Sequence, residues 1–163
     1  MTSKYLIAAL ALFMLAACSH KKENENAKNK LAGTWRLIEY TDYDFIKKEW
    51  THPYGLYPKG YFTYTKSGVV NLNGSAEKPM EIPKDSLYSK QMTLGTLLNN
   101  AFGNFGTYTI DSVHSIVIHH VEGGSVIPYI GTDQPRQFII KGDRLFIGDP
   151  SFETGKRVLV REK

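Results

Sequence analysis

The chain of 163 residues has a single cysteine, Cys18. No intramolecular disulfide can form, and the folded part has no thiol nucleophile. Long apolar runs are also missing: the longest, Tyr5 to Ala17, falls short of the about 20 residues that a bilayer-spanning helix needs. There is no Gly-x-Ser-x-Gly elbow, no phosphate-cradling glycine loop and no His-Glu-x-x-His, which removes the common signatures of hydrolases, nucleotide enzymes and zinc proteases. The charge balance is a modest +4, with basic residues scattered among acids. A nucleic-acid surface needs a basic stripe with interleaved aromatics, so nucleic acid is not an expected partner. No internal repeat divides the chain.

What is present begins with the amino-terminal layout. Lys4 precedes the apolar run, and Leu15, Ala16 and Ala17 lead directly into Cys18, the arrangement of a secretory signal. Leu-Ala-Ala-Cys resembles the lipobox of bacterial lipoproteins. The resemblance implies a signal peptide over 1–17, cleavage before Cys18, lipid on its sulfur and an acylated new amino terminus, with the membrane as a partner through that anchor. Several acyl chains at about 0.8 kcal/mol per buried CH₂ would hold such a protein durably. Ser19 in place of Asp resembles lipoproteins passed on to the outer membrane, so a lipid-anchored place in the bacterial cell envelope is expected, on the periplasmic or the surface side. Residues 18–30 are Lys, Glu, Asn and Ala-rich with no large apolar side chain, and read as a lipidated start followed by a flexible tether.

Residues 31–163 form one domain's length of chain. Eight runs rich in Val, Ile, Tyr, Phe and Thr recur between turn residues: Gly33 to Asp42, Lys59 to Lys66, Val69 to Asn73, Phe105 to Ile110, Ser115 to Glu122, Arg136 to Lys141, Arg144 to Gly148 and Lys156 to Glu162. All seven prolines fall outside them, as expected of strands that pair on both sides. Tight links at Ser67-Gly68 and Gly142-Asp143 make hairpins and therefore antiparallel neighbours. Leu94, Leu97, Leu98, Ala101 and Phe102 repeat at helical spacing, with Gly103 as the C-terminal cap. The expected fold is all-β, an antiparallel barrel of about eight strands with one short helix near a mouth.

Gly33, Thr34 and Trp35 carry the Gly-x-Trp signature of lipocalins, with Arg161 placed to cover the tryptophan. His52, Pro53, Tyr54 and Gly55, then Gly60 and Tyr61, then Gly106, Thr107 and Tyr108, follow in order. So do His119 to Gly123, Pro128, Tyr129, Gly131, Thr132, Gln134, Arg136 and Gly142 to Leu145. This series resembles the bacterial lipocalin-like domain family and implies a calycin-type barrel. Fold alone does not give function.

Alternation puts Ile116, Ile118, His120 and Glu122 on one face of the fifth strand and Val117, His119 and Val121 on the other; one histidine faces inward, and which one is open. Arg136, Phe138 and Ile140 share the expected inner face of the sixth strand. Arg136 reads either as a fork for a carboxylate or phosphate, or as a salt bridge with Glu122, the usual in-house pairing of a buried charge. Tyr61, Tyr64, Tyr108 and Tyr129 supply aromatic walls with polar ends. The ligand-binding candidates are thus these four tyrosines with His120, Glu122, Arg136 and Phe138. Binding of a small apolar or amphiphilic molecule is the leading expectation. Proton transfer between His120 and Glu122, in a cofactor-independent isomerase or cyclase, is the alternative, and a ligand-free envelope scaffold is a third. No catalytic residue is otherwise assigned. The spacing of known metal motifs is missing, and no cofactor is expected. Trp35 and Arg161 belong to the closed end.

Overall fold

The computed structural model describes residues 23–78, 80 and 100–163. A helix, α1, covers 23–31. Nine strands follow: β1 Gly33–Asp44, β2 Glu49–Thr51, β3 Lys59–Tyr64, β4 Val69–Ser75, β5 Ala101–Asp111, β6 Ile116–Gly124, β7 Asp133–Lys141, β8 Arg144–Gly148 and β9 Gly155–Arg161. A 3-10 turn, Ile127–Tyr129, lies between β6 and β7. Every pairing is antiparallel, in the order β2-β1-β3-β4-β5-β6-β7-β8-β9, and β9 returns to β1. Eight strands therefore close into a barrel, while β2 extends β1 as a short hairpin.

The connections explain the closure. Gly142 takes a positive φ of 61° as the first residue of the two-residue link between β7 and β8, the position that a glycine fits in a hairpin turn. Gly106 sits where β5 shifts register against β6, and a Cβ there would lie 2.1 Å from the His120 carbonyl oxygen. Two strands can approach that closely only at glycine.

One end is packed solid. Leu31 and Trp35 are fully buried, together with Leu37, Tyr64, Val70, Tyr108, Val117, Leu145 and Leu159. Trp35 Nε1 donates to the Leu31 carbonyl at 2.8 Å. Arg161 covers the indole at 3.9 Å and donates to the carbonyls of Ala32 and Lys30. One guanidinium thus ties the end of α1 and the last strand to the tryptophan, the closed-end role that the sequence implied.

Several expectations need correction. The segment read as a tether is helical over 23–31, because Leu31 is buried in the core and Asn24 Oδ1 accepts from the Ser112 N–H at 3.0 Å. Ala101, Phe102 and Gly103 are strand, paired with Ser75, Gly74 and Asn73, so Gly103 caps no helix; Leu94, Leu97 and Leu98 lie outside the described residues. Pro135 is inside β7, opposite Ile118. It is tolerated because β8 pairs only from Gln137 onward, leaving the proline on an open edge. The three residues of β2 were too few to register as an alternating run.

Candidate functional site

The half of the barrel opposite α1 is hollow. A cavity of about 210 Å³ opens where β1, β6 and β8 end and β5, β7 and β9 begin. For scale, a cavity of about 150 Å³ lined by apolar side chains holds benzene. Its aromatic wall is continuous: Tyr40 meets Tyr54 edge-on at 4.7 Å, and Phe102 lies 5.2 Å from Tyr40, 5.0 Å from Tyr54 and 6.3 Å from Phe62. Tyr40 reaches this wall because β1 shifts register between Leu37 and Glu39, which brings it opposite Arg157. Such a bulge adds one residue and reverses the alternation beyond it. Burial raises the pKa of both Tyr40 and Tyr54, against the opposing pull of Arg157, so both hydroxyls are protonated at neutral pH.

His119, Gln134, Arg136 and Arg157 supply polarity on the same lining. His119 is 5 % exposed and its Nε2 lies 3.0 Å from Tyr64 Oη. Burial, then the neighbouring charges of Arg136 and His120, bring its pKa down to about 3; the ring is neutral. Arg157 is compensated: it pairs with Asp42 at 2.9 Å and stacks 3.7 Å over Tyr40. Arg136 instead donates from Nη1 to its neighbour's carbonyl, Pro135 O, at 2.8 Å and from Nη2 to Gln134 Oε1 at 3.1 Å, and lies 5.6 Å over Tyr129. Among the described residues no carboxylate forms an ion pair with it.

The sequence-derived candidates divide by face. Arg136 and Tyr129 line the cavity. Tyr64, Tyr108 and Phe138 point inward but belong to the packed half, where burial carries the Tyr108 pKa up to about 12. Tyr61 is 45 % exposed on the outer wall: three residues from Tyr64 on a strand, it must face the other way. His120 and Glu122 are outside as well, with His119 and Val121 turned inward. The proposed acid–base pair is therefore not enclosed, and the Glu122–Arg136 bridge does not form. His120 Nδ1 instead donates to Asp133 Oδ1 at 2.6 Å, and its Nε2 lies 3.0 Å from Thr109 Oγ1. This hydroxyl–imidazole–carboxylate line braces β5, β6 and β7 on a flat solvent-facing wall, outside the cavity. In the motif His52-Pro53-Tyr54-Gly55, Tyr54 contributes to the wall while His52 is exposed. Gly55 turns the loop at φ 84°, and the neighbouring N–H groups of Leu56 and Tyr57 donate to Glu77 Oε2 at 3.1 and 3.2 Å. Cys18 lies outside the described residues.

The sequence reading missed Tyr40, Phe62, Phe102, His119, Gln134 and Arg157 as lining. For Phe62 and His119 the signal was alternation with Tyr64 and Val117; for Tyr40 the bulge concealed it.

No match to a curated protein is found for this chain. The lipocalin-like domain family matches residues 32–158, from the residue before Gly33 into the last strand. With the closed barrel, the Gly-x-Trp entry and the covering arginine, the chain belongs to the lipocalin-like domain family.

Proposed function

We propose that this protein is a lipid-anchored member of the bacterial cell envelope that holds a small apolar or amphiphilic molecule in the open half of its barrel. The supporting observation is the division of the interior: one half is filled by Trp35, Tyr64 and Leu145, while the other keeps a cavity of about 210 Å³ walled by Tyr40, Tyr54, Phe62 and Phe102. Aromatic walls with a few placed polar groups suit a mostly apolar body with one polar end. A barrel serving only as a scaffold would gain stability by filling that space, since voids forfeit packing contacts. The anchor reading rests on Leu15-Ala16-Ala17-Cys18, with the outer membrane as the favoured site.

Native mass spectrometry of the protein, purified gently from its host's envelope, tests the binding reading. A defined added mass that organic extraction removes is the expected result; repeated absence across lipid-fed preparations would overturn it. For the anchor, Cys18→Ala is expected to release the protein from membranes and alter its mass; unchanged membrane association and mass would refute lipidation.

A further inference from the structure

We propose that the molecule held in the cavity is a compact carboxylic acid with a single negative charge, its head group taken by Arg136 and the Nδ1 proton of His119 and its apolar body laid against the aromatic wall. This rests on the binding reading above and narrows its ligand class.

The charge inventory of the lining points there. Asp42 compensates Arg157 at 2.9 Å, and His119 is buried and neutral. Arg136 is left as the one cavity-lining cation without a carboxylate partner among the described residues. A partly buried cation is stabilised by an opposite charge. One negative charge balances it, whereas a phosphate monoester, at about −1.5 to −2 near pH 7, overshoots.

The donors are also prepared. A guanidinium has five N–H groups, of which Pro135 O and Gln134 Oε1 take one each. Gln134 is itself fixed, because its Nε2 donates to Thr132 Oγ1 at 2.7 Å and that hydroxyl donates to the Tyr129 carbonyl at 2.7 Å. The Thr132, Gln134 and Arg136 series seen in the sequence is therefore a chain of hydrogen bonds that sets the guanidinium before any ligand arrives, which lowers the ordering cost of binding. His119 lies opposite Gln134 and Val117 opposite Arg136, so the His119 and Arg136 side chains are diagonal neighbours on the inner face, about 7–8 Å apart at their Cα atoms. Tyr64 is protonated, and His119 Nε2 is the acceptor within its reach at 3.0 Å. We assign the hydroxyl as the donor to Nε2, which places the ring proton on Nδ1, where it can meet an oxygen beside the guanidinium.

Calorimetric titration of the full chain with three probes that share one body tests this: 3-phenylpropanoate, 3-phenylpropan-1-ol and 3-phenylpropyl phosphate. The acid is expected to bind about tenfold or more tightly than the alcohol, the range of a charge-assisted hydrogen bond. Arg136→Gln should erase that preference, with the fold of the variant checked by its circular dichroism spectrum. Arg136→Lys keeps the charge without the fork and should retain part of it, and Gln134→Ala, which frees the guanidinium, should reduce it. Equal affinities for acid and alcohol in the unaltered protein, or a preference that survives Arg136→Gln, would overturn the head-group assignment while leaving the binding reading intact. Tightest binding of the phosphate would overturn the single-charge argument. Failure of all three probes to bind would count against the binding reading itself.

Discussion

His119 makes the stability of this barrel depend on pH in a window where carboxylates contribute little. In the folded chain its pKa is about 3, chiefly because burial penalises the charged ring; in the unfolded chain it returns to about 6.5. As pH falls below the unfolded value, the unfolded state takes up a proton that the folded state refuses. Stability is thus complete above about pH 7 and is lost as pH drops from about 6.5 towards 3. Between pH 7 and pH 5 the linkage gives a loss of about 2 kcal/mol. That figure is insensitive to the folded value, which need only lie well below 5. Carboxylates such as Asp44 and Asp111, whose pKa values are lowered by backbone N–H donors and by His114 respectively, lose their contribution at lower pH and leave this window clear. Urea unfolding at pH 7 and pH 5, for the natural protein and for His119→Gln, isolates the effect, since glutamine can still accept from Tyr64 without titrating. The natural protein should lose about 2 kcal/mol more than the variant over that interval, or roughly 4–8 °C in melting temperature for a chain of this size. An equal pH dependence in the two proteins would refute the burial argument for His119.

Arg161→Ala removes the cover over Trp35 and leaves the Ala32 and Lys30 carbonyls without their donor; a loss of about 1–3 kcal/mol is expected in urea unfolding. Gly106→Ala forces a methyl to within 2.1 Å of the His120 carbonyl oxygen, so β5 and β6 must separate locally at a cost of about 1–3 kcal/mol, measurable by thermal melts. His120→Ala, on the outer wall, should cost about 1 kcal/mol or less and leave probe binding in the cavity unaltered; a change in cavity affinity would contradict its outward placement.

The strands were legible because turn glycines and β-rich runs mark them plainly: Arg144–Gly148 comes out of the sequence with both ends correct. Orientation was harder. In β6 both faces carry branched apolar residues, Ile116 and Ile118 outside and Val117 and Val121 inside, so alternation exists without a polarity contrast to orient it. The same holds for Tyr61, Phe105 and Ile139, large apolar side chains that a barrel exposes on its wall. The reading that placed both Tyr61 and Tyr64 inside conflicted with strand parity and was correctable from sequence. Tyr40 was not, because the register shift beside it depends on how β9 pairs. Helix α1 was concealed by its composition: Ala27 and Leu31 are its main apolar contacts, and the barrel end supplies the rest. Arg136 was correctly turned inward, but its partner was misjudged, since the answer depended on which side Glu122 occupied.

The packed half around Trp35 and the hollow half around Phe102 meet at Phe62, Leu72, Ile147 and the Tyr64–His119 hydrogen bond, so a substitution at that seam is felt on both sides. Lining positions away from that seam, such as Tyr129 and Gln134, are the ones that can be recut for a new occupant at least cost to folding. A lineage built on this plan is expected to keep Trp35, Leu145 and Arg161 as a fixed foundation while the residues around Tyr40, Tyr54 and Gln134 drift with the chemistry each host requires.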